Sequence, residues 1–152
     1  MTRKLGSILL LGITLGVFAA GVVGDAQAQR GYRDGSVWNI SFIRMKPGME
    51  SAYLTYVTTD WKREQEAAKK EGLILSYKVI GTEGHTPGDW NLMLMTEFKD
   101  LATMEANGPK FEALATKLAG SDEKMRQGYK DRTAIRQVMG NRLAREVILE
   151  PK

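Results

Sequence analysis

Residues 38–56 read WNISFIRMKPGMESAYLTY, and this stretch decides the fold. Aromatic and β-branched residues alternate with mostly polar ones from Trp38 to Phe42, a period of two that predicts a strand. Pro47 cannot donate a ladder hydrogen bond and Gly48 frees the backbone, so we expect the strand to end there. Apolar residues then recur every three or four positions, as in an amphipathic helix. The stretch therefore predicts a strand that turns a tight corner into a helix over residues 49–71.

The N-terminal residues have the composition of an export signal. Two basic residues precede an uncharged apolar run over residues 5–23, and the small residues Ala26 and Ala28 fit a cleavage site. We therefore expect residues 1–28 to be a cleaved signal peptide and the protein to be exported, either periplasmic or secreted. A retained membrane anchor is the alternative, because the apolar run approaches the length of a membrane helix.

The remaining chain is predicted to form one domain over residues 37–152, after a flexible leader over residues 29–36. The net charge is +4, and the basic residues are interleaved with acidic ones along the chain. Nucleic-acid-binding proteins usually concentrate their basic residues on one surface, so we expect no nucleic-acid partner and no membrane contact after signal cleavage. The chain contains no Cys, which excludes disulfides and thiolate metal sites.

The rest of the sequence predicts three more strands and a long helical region. A loop rich in Gly and Pro is expected over residues 81–89, and the motif at 107–109 is expected to interrupt the helical region. The predicted strands are residues 73–80, 90–98 and 142–149, and the predicted helical region is residues 101–139.

This order of elements is that of the split βαβ arrangement. It predicts an α+β, ferredoxin-like fold in which a four-stranded antiparallel sheet carries helices on one face. Both faces of the predicted strands are partly apolar, so the face without helices needs a cover. We expect that cover to be the same sheet of a second copy, related by a two-fold axis, so that the protein is a homodimer.

The order of elements, the corner RMKPGME at residues 44–50 and the partly apolar second face resemble the dimeric α/β-barrel superfamily. This superfamily includes antibiotic-biosynthesis-type monooxygenases, heme-degrading monooxygenases and small exported proteins of unknown function. The resemblance extends over residues 37–149 and implies a dimeric α/β barrel. It also implies an alternative function, a cofactor-independent or heme-handling monooxygenase acting on a small aromatic or hydrophobic molecule. The positions that resemble its polar and aromatic site residues are Trp38, Asn39, Trp90 and Asn91.

The candidate ligand site is the sheet face that the second copy is expected to cover. Sparse polar groups on an apolar floor suit a small hydrophobic ligand, because burial supplies affinity and a few donors fix orientation. Methionine makes such a floor adaptable. The alternative is that these residues only fill the dimer interface. They are Asn39, Ser41, Ser76, Lys78, Asn91, Met93 and Met95.

The other residues with reactive side chains do not indicate a catalytic, metal or cofactor site. His85 is the only histidine and lies in the loop rich in Gly and Pro, where we expect it to face solvent. No phosphate-binding loop and no arrangement of nucleophile, histidine and acid is recognisable. We therefore expect a small-molecule-binding or structural module with no catalytic residues, metal or cofactor.

The densest basic group lies near the C-terminus and allows two interpretations. Its arginines could hold an acidic ligand or an anionic surface. Asp131 and Glu146 lie among them, which favours a solvated face stabilised by ion pairs. The four arginines are Arg132, Arg136, Arg142 and Arg145.

Overall fold

The computed structural model of the protein describes residues 31–83, Thr86 and residues 89–151. The predicted signal peptide at residues 1–28 and the loop residue His85 lie outside these residues.

Four antiparallel strands form one sheet in the order β2-β3-β1-β4. The two central strands, β1 and β3, are joined to the edge strands by crossover connections that contain the helices. This is the predicted α+β, ferredoxin-like arrangement, which is confirmed. The strands are β1 (Tyr32–Met45), β2 (Ser76–Gly81), β3 (Leu92–Phe98) and β4 (Arg136–Leu149).

The helices pack on one face of the sheet and lie in the two crossover connections. The first connection holds a helix whose middle turn is π-helical, and the second holds two α-helices. The first connection comprises α1 (Glu50–Tyr56), the π-helical turn Val57–Trp61 and α2 (Lys62–Lys70). The second comprises α3 (Leu101–Ala119) and α4 (Asp122–Ile135).

The corner between β1 and α1 has the predicted geometry. Gly48 has a φ of +76°, a left-handed backbone conformation that residues with a Cβ rarely adopt. The Met49 amide donates to the Lys46 carbonyl at 2.9 Å and closes the turn. The corner directs the first crossover back across the sheet, which brings Tyr53 and Val57 onto the sheet as buried residues.

Two clusters of buried residues hold the helices against the sheet. The first joins the start of the first crossover to the two central strands, and the second joins α2 and α3 to the end of β3. Apolar burial is the main favourable term in such packing, at roughly 25 cal/mol per Å². The first cluster is Ile43, Tyr53, Val57, Leu92 and Leu94; the second is Ala68, Leu73, Ile74, Phe98 and Leu114.

The first strand begins before its predicted start. We predicted a flexible leader over residues 29–36, but residues from Tyr32 onward belong to β1 and pair with the end of β4. Tyr32 lies opposite Leu149, and the register shifts between Asp34 and Val37. Gly35 lies in this irregular region, where Glu146 approaches it closely. The prediction for residues 32–36 was wrong because the bulge interrupts the apolar alternation by which a strand is recognised. A bulge also accommodates Gly inside a strand.

The helix α3 continues through the predicted interruption at residues 107–109. Pro109 lacks an amide hydrogen for the carbonyl of Glu105, but both residues are exposed, so water can solvate that carbonyl. Gly108 has no Cβ to collide with the proline ring, which removes part of the usual restriction on the residue before proline. Leu114 then anchors the second half of α3 in the core.

The last helix ends earlier than predicted, and the last strand begins earlier. We predicted helix to residue 139, but β4 begins at Arg136 and pairs with Met45. The long pairing with β1 overrides the helical spacing of residues 136–139, because tertiary context outweighs local propensity. A register shift next to Phe42 accommodates the extra residue in β4.

Candidate functional site

A cavity of about 800 Å³ lies between the helices and the sheet. Its volume falls in the range of small-molecule sites, roughly 300–1,000 Å³. The sheet supplies the floor and the helices supply the walls, and members of both core clusters line it. The sheet contributes Asn39, Ser41, Leu94, Thr96, Phe98 and Asn141 to the lining, and the first crossover contributes Tyr53, Tyr56, Trp61, Glu64 and Gln65. The second crossover and the start of β4 contribute Met104, Phe111, Glu112, Ala115, Met125, Tyr129, Arg132 and Arg136.

The π-helical turn explains how aromatic residues of the first crossover share one face. Tyr56 and Trp61 are five residues apart, the span of the i→i+5 hydrogen bond of a π-helix, whose wider turn brings them closer to one face than an α-helix would. Threonines of this segment donate to carbonyls four residues earlier, as Thr59 does to Thr55 at 2.7 Å, a contact that bends helices. Both aromatic rings therefore line the cavity, whereas regular helical spacing would turn Trp61 away.

The polar groups of the floor satisfy one another. The Ser41 hydroxyl donates to Asn141 Oδ1 at 2.7 Å, and the Thr96 hydroxyl donates to Gln65 Oε1 at 2.9 Å. Gln65 is only 3% exposed and is the buried polar residue of the core. These pairs tie β1 to β4 and β3 to α2, so the floor is held in place by cross-element hydrogen bonds.

Two arginines, one at the end of α4 and one at the start of β4, project to the cavity. The Arg132 guanidinium lies over the rings of Tyr56 and Tyr129, with its Cζ at 4.6 and 4.5 Å from their centroids. The Arg136 guanidinium lies 5.6 Å from the centroid of Tyr53. Cation–π contacts of this kind hold the planar group in one orientation.

Among the residues that the structure describes, neither arginine has an acidic partner at ion-pair distance. The three ion pairs formed between described residues are Arg33 with Glu150, Arg63 with Asp60, and Arg145 with Asp34. Among the described residues, two buried side-chain nitrogens lack a hydrogen-bond acceptor, namely Nε of Arg132 and Nε of Arg136. A buried unsatisfied donor costs about 1–3 kcal/mol, and more when it is charged. Each of the two cavity-lining arginines therefore has a buried donor without an acceptor.

The cavity shifts the pKa values of its acidic groups. Burial raises the pKa of Tyr53 from 10.0 to about 12, although the charges of Arg136 and Arg132 act in the opposite direction. Burial also raises the pKa of Tyr56, again opposed by Arg132. The pKa of Glu64 lies above its usual 4.5 because of burial, with Arg132 opposing the shift. Low solvent access therefore dominates the electrostatics of this wall.

The predicted site residues do not share one face, and this prediction was wrong. Strand register places Asn39 opposite Thr96 and Ser41 opposite Leu94, on the face that the helices cover. Ser76 pairs with Glu97 and Lys78 with Met95, on the other face. The error arose because we expected the helices to cover the more apolar of the two faces of β1. The helices instead bury Val37 and Ile43, and only Asn39 and Ser41 of the predicted site line the cavity.

The other face of the sheet, which we call the open face, is apolar at its centre and polar at one end. Lys78 lies 5.0 Å from the ring centroid of Trp38. Ser36 donates to Glu97 at 2.7 Å, and Ser76 donates to the same carboxylate. The half-buried apolar residues of the open face are Trp38, Ile40, Phe42, Met93 and Met95, and Phe42 contacts Trp90 edge to face at 5.0 Å.

Two further predicted residues have structural contacts. Asn91 Oδ1 accepts from the Met45 backbone amide at 2.9 Å, and the Asn91 backbone amide donates to the Ile43 carbonyl at 2.9 Å, so Asn91 extends the pairing of β1 with β3. Arg145 pairs with Asp34 at 2.6 Å, as the interpretation of a salt-bridged face predicts. The basic group is therefore divided, since Arg132 and Arg136 line the cavity instead.

The cavity arginines and tyrosines were missed as a set, although their spacing carried a signal. Met125, Tyr129 and Arg132 follow one another at intervals of four and three, which is one face of α4, and Arg136 follows four residues later at the start of β4. The sequence alone cannot show that this face meets Tyr53 and Tyr56 from another element.

Within the described residues, no group of three or more His, Cys, Asp or Glu side chains is arranged to hold a metal ion. No helix in the same residues is both long and apolar enough to span a membrane.

Comparison with known proteins gives two structural neighbours. No family model matches the chain, and no curated protein matches it. A NipSnap family protein with unknown function from Agrobacterium tumefaciens is similar over 78% of this chain and 92% of its own, with a TM-score of 0.49 and 16% sequence identity. A dimeric ferredoxin-like protein from an uncultured marine organism is similar over 78% of this chain and 97% of its own, with a TM-score of 0.36 and 16% identity.

Proposed function

We propose that the protein is an exported homodimer that binds a small hydrophobic molecule in the cavity between its helices and its sheet. The observation that carries the proposal is a cavity of about 800 Å³ lined by aromatic side chains and by two arginines with unsatisfied buried donors. Such a lining combines apolar area for affinity with a few polar groups for orientation, which is the usual composition of a ligand site.

The architecture of the cavity supports ligand binding over a simple packing defect. Apolar cores are normally packed to high density, with few voids larger than a water molecule. Here Phe111 and Ala115 of α3 and Tyr53 and Tyr56 of α1 all line a cavity of about 800 Å³. The floor hydrogen bonds and the cation–π contacts keep the lining residues in place, so the site is preformed.

The homodimer is supported by the open face. Apolar residues from both central strands lie side by side there, with Ile40 opposite Met95 and Phe42 opposite Met93. The helices cover only the other side of the sheet. A second copy related by a two-fold axis would cover this face with an identical one, as isologous dimers do.

The proposed export depends on the N-terminal sequence alone, which combines basic residues, an apolar run and small residues before residue 29.

Ligand binding is tested with N-phenyl-naphthylamine, a neutral dye that fluoresces in apolar sites. We expect saturable enhancement with wild-type protein and its loss in Ala115→Trp, because Ala115 lines the cavity and an indole there would fill it. The control is Ala113→Trp, an exposed position on the same helix, whose circular dichroism and dye binding should match wild type. Equal dye binding by both variants would contradict the proposal.

The alternative of a monooxygenase-like enzyme stays a prediction. Of the four residues that resemble the oxygenase site, Asn39 lines the cavity, whereas Trp38 belongs to the open face. Oxygen uptake with quinol-type substrates and a Soret band after hemin titration are the measurements that would support the alternative.

A further inference from the structure

We infer that the ligand of the cavity is an apolar carboxylic acid, bound as its monoanion with the carboxylate held by Arg132 and Arg136. This inference rests on the proposed function and specifies its ligand class. It is carried by the position, the lack of partners and the fixed orientation of the two guanidinium groups.

The two arginines act on the same part of the cavity. Arg132 lies in the last turn of α4 and Arg136 begins β4. The Arg132 guanidinium lies 4.6 Å from the ring centroid of Tyr56 and that of Arg136 lies 5.6 Å from the centroid of Tyr53, and the two ring centroids are 5.7 Å apart. Both guanidinium groups are therefore close to the same pair of phenol rings. An anion near these rings would interact with two positive charges at once.

The free donors are suited to a carboxylate. Nε is one of the nitrogens through which arginine binds a carboxylate with two parallel hydrogen bonds. Nε of Arg132 and Nε of Arg136 are both buried and without an acceptor. Because the Arg132 guanidinium already lies over Tyr56 and Tyr129, little side-chain freedom is lost on binding.

The charge of the whole lining favours a monoanion over a dianion. Glu64 and Glu112 also line the cavity, and neither forms an ion pair with the arginines. With these carboxylates nearby, a phosphate monoester would bring excess negative charge into a site of low solvent access. A carboxylate carries a single negative charge, so less positive charge is needed to balance it.

The remainder of the cavity is suited to an apolar body. Apolar side chains from both the sheet and the helices also line the cavity, and methionine adapts to different shapes. These residues are Leu94, Phe98, Met104, Phe111, Ala115 and Met125.

The test is competition against N-phenyl-naphthylamine with three probes that share one apolar body: phenylbutyrate, phenylbutyramide and phenylbutyl phosphate. We expect phenylbutyrate to displace the dye at a concentration at least about tenfold lower than the amide, since charged hydrogen bonds are stronger than neutral ones. The phosphate should compete more weakly than the carboxylate. This comparison needs only wild-type protein.

Variants then assign the preference to residues. Arg132→Gln and Arg136→Gln should each lose about tenfold of the preference for the acid over the amide, with both probes compared on the same variant. Arg145→Gln, whose guanidinium pairs with Asp34 outside the cavity, should keep the full preference.

The outcomes separate the inference from the proposed function. Equal competition by acid and amide while the dye still binds would overturn the inference and leave the proposed function standing. Tighter binding of the phosphate would also overturn it, because the head group would be a dianion. If neither the dye nor any probe binds, the proposed function itself fails.

Discussion

At the scale of single residues, the buried polar groups of the cavity set its chemistry. Burial raises the pKa of Glu64 and of two tyrosines, while the arginines provide the opposing positive charge. The charged and titratable groups around Glu64 are Tyr56, Asp60 and Arg63 on its own crossover, Glu112 on α3, and Lys124, Tyr129 and Arg132 on α4.

Glu64→Gln should stabilise the protein at neutral pH. Because burial raises the folded-state pKa of Glu64, the folded state binds its proton more tightly than the unfolded state does. The wild-type protein therefore loses stability as pH rises from about 4.5 through that folded-state pKa, and glutamine removes this loss. In urea titrations at pH 7, Glu64→Gln should have a higher free energy of unfolding than wild type. This gain should disappear below the unfolded-state pKa. An equal gain at both pH values, or one matched by the exposed control Glu105→Gln, would contradict the assignment.

Tyr53 should resist ionisation in the folded protein. Its pKa of about 12 means that the phenol stays neutral where an exposed tyrosine has largely ionised. By linkage, stability falls as pH rises from about 10 to about 12, because the unfolded state loses this proton first. Absorbance of phenolate at pH 11 should increase when urea is added, and Tyr53→Phe should reduce that increase. A fully ionised set of tyrosines in folded protein would exclude the predicted shift.

At the scale of elements, the sequence predicted most of the architecture and missed the irregular features. Alternation and helical spacing predicted four strands and the crossovers, since burial on one face imposes those periods. The bulge at Gly35, the π-helical turn and the start of β4 depend on pairing between distant residues, which no local period records. The same limit applies to the site. Local pattern cannot show which alternate face of β1 the helices cover.

Pro109→Ala should stabilise the helix α3. Proline inside a helix is about 3 kcal/mol less favourable than alanine, and Pro109 is exposed, so the substitution removes no core contact. We expect the free energy of unfolding to increase by about 1–3 kcal/mol in urea titrations. The control is Pro151→Ala, which follows β4 and lies outside regular structure, and should change stability by less than about 0.5 kcal/mol. A destabilised Pro109→Ala variant would show that the proline has a role in packing.

At the scale of the whole molecule, the sheet separates two apolar regions with different uses. The face under the helices contains the core clusters and the cavity, and the open face is proposed as the dimer interface. The sequence predicted that both faces would be apolar, which is correct. It predicted the ligand site on the open face, whereas the cavity lies under the helices.

Ile40→Lys should weaken the dimer. Ile40 lies at the centre of the open face, opposite Met95 on β3 and Arg142 on β4, so a lysine there would bury a charge between the two sheets. We expect a loss of about 2 kcal/mol or more, roughly a thirtyfold increase in the dissociation constant. Light scattering coupled to size-exclusion chromatography measures this change. Leu143→Lys, an exposed position on the helix side of the sheet, is the control. A wild-type monomer at micromolar concentration would remove the proposed dimer.

The most direct test of the central claim is a titration of isotope-labelled protein with phenylbutyrate, followed by chemical-shift changes of assigned amide and side-chain resonances. Binding in the cavity predicts the largest changes at Tyr53, Tyr56, Arg132 and Arg136, with saturation at one ligand per protomer. Changes confined to Trp38, Ile40 and Phe42 on the open face, or no saturable change at any residue, would contradict it.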